Sequence, residues 1–265
     1  MASIRKLPPE AREVQLQAAR LVQEDLASLV EGYRQRFGVI VGTDYARELF
    51  AQYSASMESR LRFAAAIRRS ASRVASAVFS RVLSERGRGM ALFTAGGTGV
   101  GKTTAIRSGA GVENLLTHAR IIYDSNFHRF ESASRKVEMA VEAGSKAVVV
   151  FVHRHPVEAY LEGVVPRALV EGRTVPITGH LRMHKDSLHT FLRVHAVFAA
   201  DRRTAFMVLN NTGHPTEAFP LEVEYLRNIK YGWTEIRETI KEGLGHLYEQ
   251  GKISQALYKA SRGDT

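Results

Sequence analysis

The residues Gly96-Gly97-Thr98-Gly99-Val100-Gly101-Lys102-Thr103 have the types and spacing that imply chemistry most directly. They fit G-x-x-x-x-G-K-[ST], a loop that cradles a polyphosphate. Glycines free of Cβ let successive backbone N–H groups converge on phosphate oxygens at dihedrals other residues resist. A helix starting at Lys102 adds the positive end of its dipole. Lys102 then offers a point charge to the β- and γ-phosphates, and the Thr103 hydroxyl is a Mg²⁺ ligand, with Thr104 beside it in the cradle. A nucleoside triphosphate and Mg²⁺ are the expected ligands.

Phosphoryl transfer also needs a base and positive charge on the migrating group. Asp124 closes the apolar run Ile121-Ile122-Tyr123. In doubly wound sheets ligands gather at the carboxyl ends of strands, so Asp124 can take a proton from a substrate hydroxyl and align it for in-line attack. A helix cap or a Mg²⁺ ligand is its other reading. No acidic residue ends the run Lys146–Val152, which speaks against a standard motor ATPase. Arg167 and Arg173 flank Glu171-Gly172 between Pro166 and Pro176, a segment expected to act as a mobile closing lid over the γ-phosphate, with Arg182 and Lys185 in reserve. His153 with His155, and His180 with His184, have spacings open to a metal, but neither pair carries the Glu of H-E-x-x-H.

These groups need elements to hold them. Met90–Ala95 reads as a buried strand, followed by the glycine loop and a helix from Lys102. Arg120–Asp124 reads as a second strand, Phe130–Ala143 as a helix closed by Gly144, and Lys146–Val152 as a strand too continuously apolar to be half exposed. Helices follow from Pro156 and from about Thr178, then a strand over Ala205–Leu209 and helix again from about Thr234. Strands alternating with helices predict an α/β unit with a parallel sheet. Upstream only helices are expected: Glu13 to Arg36 as one amphipathic stretch, a short helix capped by Thr43-Asp44 and running to Tyr53, and a third carrying Ile67, Val74, Val78 and Val82. The division falls near Gly87-Arg88-Gly89, giving a helical region over 1–88 and a catalytic domain over 89–265.

The glycine loop, the stretch Asp124-Ser125-Asn126-Phe127 and the arginine-bearing lid together resemble the zeta toxins. These are P-loop kinases that use ATP and Mg²⁺ to phosphorylate a sugar hydroxyl of UDP-N-acetylglucosamine. Thr43-Asp44-Tyr45-Ala46-Arg47-Glu48-Leu49-Phe50 is similar to a helix found upstream in such proteins, so the resemblance spans roughly residues 40–215. It implies a P-loop kinase-like sheet flanked by helices, with Gly96 to Thr104 binding nucleotide and Lys102 acting on the transferred group. Asp124 would be the base and Arg167 and Arg173 the γ-phosphate clamp. It also implies that Asn211, after a strand, approaches the adenine. A nucleotide-sugar acceptor and an antitoxin partner follow from the same resemblance. Members of the wider group phosphorylate other acceptors, including the adenosine ribose of NAD.

Composition bounds the alternatives. The 265 residues are 45% apolar and 24% charged, ordinary for a globular chain. The longest uninterrupted apolar run is far shorter than a membrane span, and the first residues lack a signal-peptide core. Cysteine is absent, which removes disulfides and thiolate metal sites and fits a cytoplasmic setting. Net charge is +10, of which residues 1–90, with 15 basic and 9 acidic side chains, carry +6. That surplus keeps a polynucleotide kinase or nucleic-acid-binding NTPase open as a second reading, although no aromatic–basic interleaving accompanies it.

Overall fold

The computed structural model describes residues 7–85, 89–108, 112–213 and 218–263. The chain falls into two compact units, Met1–Glu85 and Arg86–Thr265. The expected division at Gly87-Arg88 lies outside the described residues.

The first unit holds helices α1 (Pro9–Glu24), α2 (Leu26–Phe37), α3 (Thr43–Arg47), α4 (Ala51–Ser54) and α5 (Met57–Ser84), with a short extended stretch β1 (Ile40–Val41). The single helix expected over Glu13 to Arg36 is broken at Asp25. There the backbone leaves the helical region and the Asp25 carboxylate accepts from Ser28 N, capping α2. A side chain that bonds its own local backbone competes with helix continuation, a signal that hydrophobic spacing does not carry. The expected Thr43-Asp44 cap is also corrected. Gly42 is the N-cap, no side chain caps α3, and Asp44 instead pairs with Arg47 at 2.9 Å. The link between α2 and α3 wraps the buried Tyr33 hydroxyl, which donates to Ile40 O and accepts from Gly42 N. One stripe of α5, including Phe63, Ile67, Val74, Val78 and Val82, is buried. Among its partners is α1, which buries Ala11, Val14, Ala18 and Val22.

In the second unit β2 (Met90–Ala95), β3 (Ala119–Asp124), β4 (Lys146–His153), β5 (Thr204–Asn210) and β6 (Phe219–Leu221) pair in the order β3-β2-β4-β5-β6. The first four are parallel and β6 is antiparallel. Helices α6 (Lys102–Ser108), α7 (Glu113–His118), α8 (Phe130–Glu142), α11 (Ile177–Phe198), α12 (Val223–Asn228), α13 (Trp233–Glu249) and α14 (Gln255–Arg262) surround it. Every β4 residue but the first is buried, as expected of a strand covered on both faces. The expected α/β architecture with a parallel sheet is what the chain adopts.

From Pro156 to Glu171, between β4 and α11, the chain is helical without a break but not uniform. It runs through α9 (Pro156–Glu158), a π-helical turn (Ala159–Val164) and α10 (Val165–Glu171). Gly172 then ends α10 in the left-handed region at φ +68. A core of Tyr160, Val164, Ala168, Ile177, Ile240 and Leu257 joins this stretch to α11, α13 and α14.

Candidate functional site

The glycine loop sits where β2 gives way to α6, at the carboxyl edge of the sheet. Gly96, Gly99 and Gly101 have φ of +134, +74 and +73, values that L side chains resist. Backbone neighbours leave no room for side chains at two of them: a Cβ on Gly99 would stand 2.0 Å from Ala159 O, and one on Gly96 2.5 Å from Val152 O. The π-helical turn presses on the loop from one side, since a Cβ on Gly163 would meet Gly99 O at 2.2 Å. Single π turns inside helices frequently occur at functional sites.

Asn211, expected near adenine, directs its amide at the loop. Its Nδ2 donates to Val100 O at 2.8 Å, and its own backbone N–H donates to His153 O. Its Oδ1 is buried without a hydrogen-bond partner. Lys102 opens α6, with Thr103 and Thr104 exposed on the same turn. The Lys102 ammonium donates to Asn126 Oδ1 at 2.9 Å. The partner is a neutral amide and brings no counter-charge to the ammonium.

Asp124 ends the strand beside the loop strand, in register with Thr94. The nearly buried Thr94 hydroxyl donates to Asp124 Oδ1 at 2.7 Å, fixing the carboxylate and leaving it an oxygen to receive a proton. Beside it the Tyr123 phenol is pushed up to about 12, first by burial and then by the Asp124 charge, so it remains neutral. Phe127 follows at φ +56, rare for a bulky residue, with its ring buried against Phe93. That strained turn sets the exit of the Asp124–Asn126 segment.

The lid segment is hydrogen-bonded to its surroundings at several points. Gly172 N–H donates to Ala168 O, and the Tyr160 hydroxyl donates to Val175 O at 2.8 Å. Thr174 lies 3.4 Å from Ser261 on α14. The Glu-Gly pair forms the C-cap of α10, and the segment after it is hydrogen-bonded at Val175. Arg167 lies half-buried on α10 with its Nε lacking a hydrogen-bond partner. Arg173 faces Glu171 at 3.7 Å, while Arg182 and Lys185 are exposed on α11.

The histidine pair on α11 grips the loop. His180 stands 2.6 Å from the Thr98 hydroxyl and His184 3.0 Å from Thr98 O. Burial holds His180 down to about 4 and His184 well below its ordinary value. Among the described residues no group of three or more His, Cys, Asp or Glu is gathered to hold a metal. At the end of β4, the His153 ring bridges Asn210 Oδ1 at 3.0 Å and the Tyr231 hydroxyl at 2.6 Å. Nearby, a cavity of about 430 Å³ is lined by Val157, Glu158, Tyr231, Glu235 and Ile236. Gly213 N–H donates to Glu158, one of the lining residues. Thr94, Thr98, Asn126 and the two α11 histidines were not assigned these roles from the sequence. Only Asn126, two residues beyond the strand-ending aspartate, carried a local signal.

Fold and loop define a class: an α/β protein with a phosphate-binding loop sequence at the carboxyl edge of a parallel sheet. No family model matches the chain, and no curated protein matches it. A solved structure from a study of the PezAT chromosomal toxin–antitoxin system of Streptococcus pneumoniae aligns with 93% of this chain and 100% of its own. The identity is 7% and the TM-score 0.46. Among the described residues no helix is long and apolar enough to cross a membrane.

Proposed function

We propose that this chain is an ATP- and Mg²⁺-dependent phosphotransferase of zeta-toxin type that phosphorylates a sugar hydroxyl of a nucleotide sugar such as UDP-N-acetylglucosamine. In this reading it is the toxin of a toxin–antitoxin pair. The observation that carries it is the glycine loop with its uncancelled Lys102, set one strand away from a carboxylate that Thr94 holds in place. Loop glycines at positive φ suit a nest of backbone N–H groups, so the residues present fit a triphosphate.

Gly96 to Gly101 would line the phosphates with backbone amides, and Lys102 would leave Asn126 to meet their charge. Thr103 would hold Mg²⁺, which neutralises phosphate charge when bound. Asp124 would accept the proton of the attacking hydroxyl, its geometry maintained by Thr94. Arg167 and Arg173 would supply charge to the transferred group. The cavity beside Glu158 and Tyr231 falls within the roughly 300–1,000 Å³ of small-ligand clefts and offers room for a nucleoside.

The test is a mass-spectrometric search of cell extract incubated with the protein and Mg-ATP. A nucleotide sugar gaining one phosphate is the expected product. A phosphorylated NAD or nucleoside would keep the kinase and replace the acceptor, and no phosphorylated metabolite would sink the reading.

A further inference from the structure

Two buried side chains of α11 converge on a single residue of the phosphate loop. His180 Nε2 lies 2.8 Å from Pro156 O, an atom that can only accept, so this nitrogen carries the proton. Its Nδ1 must then accept from the Thr98 hydroxyl at 2.6 Å. His184 Nε2 donates to Thr98 O at 3.0 Å. The imidazoles lie with ring centroids 4.3 Å apart, and His184 occupies the space a Cβ on Gly97 would need, 2.3 Å away. Thr98 is therefore held by its hydroxyl and its carbonyl at once, and its neighbour by shape.

The partners reach beyond the loop. Pro156 opens the helical stretch that leads through the π turn to Arg167, and His180 lies four residues after Pro176, where the lid segment ends. One neutral imidazole joins the phosphate loop, the root of the arginine-bearing helix and the helix that follows the lid. Buried imidazoles regularly find hydrogen-bond partners; here both rings find one on the same loop residue, Thr98. We propose that His180 and His184 are positioning residues, a two-histidine latch that sets the phosphate loop through Thr98 and registers it to the arginine-bearing lid. The lid part of this statement rests on the proposed phosphotransferase reading; the loop part does not.

The test uses the full chain without ligand and reads amide hydrogen exchange of residues 96–101. His184→Leu keeps the volume and loses the donor, Thr98→Val removes the hydroxyl that His180 receives, and His184→Gln keeps an N–H donor. His184→Leu and Thr98→Val should speed exchange in the loop about tenfold, the size expected from about 1.4 kcal/mol, while β4 amides stay unchanged. His184→Gln should stay within about threefold of wild type. A second arm titrates Mg-ATP: the same two variants should weaken binding about tenfold, and His184→Gln should largely preserve it. Unaltered loop exchange in both His184→Leu and Thr98→Val would overturn the latch, as would identical behaviour of the Leu and Gln variants. Wild-type protein that ignores Mg-ATP, with loop exchange in the variants changed as predicted, would defeat the phosphotransferase reading and leave the loop part of the latch standing.

Discussion

At the residue scale, the site depends on a lysine held by a partner that does not neutralise it. Asn126→Asp would put a carboxylate where Lys102 now meets an amide at 2.9 Å. A charge-assisted pair there competes with phosphate for the ammonium, so Mg-ATP affinity should fall about tenfold or more, measured by calorimetry. The latch histidines give a pH signature. His180 is neutral in the fold with its value held near 4, against 6.5 when free, because burial disfavours the cation. Protonation therefore favours unfolding: stability is complete above about pH 6.5 and is lost as pH falls toward 4. The loss from His180 alone is about 3 kcal/mol when fully developed, and His184 adds in the same direction. His153 and Lys102, whose charges also bear on His184, act in that direction too. Denaturant midpoints at pH 7, 5.5 and 4.5 check this; a flat profile would mean the two imidazoles are not held neutral.

At the element scale, the loop and the π turn share one boundary of bare backbone. Gly99→Ala forces a left-handed φ of +74 on alanine and drives its Cβ toward Ala159 O. The dihedral alone costs roughly 1–3 kcal/mol, and melting temperature with Mg-ATP affinity should fall together. For the lid, Arg173→Ala should lower kcat by about 10³–10⁵ with Mg-ATP affinity nearly intact, if its charge acts in the transition state. Equal losses in both would make Arg173 a ground-state ligand. The strands were legible because continuous apolar runs such as Lys146–Val152 have few other destinations, and the glycine loop was legible because its spacing is chemical. The break at Asp25 and the fastening of Val175 and Thr174 were not. A one-residue cap and a hydrogen bond from Tyr160 leave no period in the sequence. The roles of His180 and His184 were hidden for a similar reason: i, i+4 histidines suit a ligand pair, a core pair or a latch, and only the position of Thr98 decides.

At the scale of the whole molecule, the +10 charge is spread over both units, and charge alone does not select a partner. The most direct test of the central claim is transfer of label from γ-labelled ATP by wild type, Lys102→Ala and Asp124→Asn, side by side, to nucleotide sugars, nucleosides and NAD, with Mg-ATP affinity measured for each. The account predicts a labelled acceptor with wild type and none with Lys102→Ala. It predicts that Asp124→Asn binds Mg-ATP normally yet transfers less than about one-hundredth as fast, since an amide cannot take the proton. Transfer at the wild-type rate by Lys102→Ala, or no labelled acceptor with any protein, would contradict it.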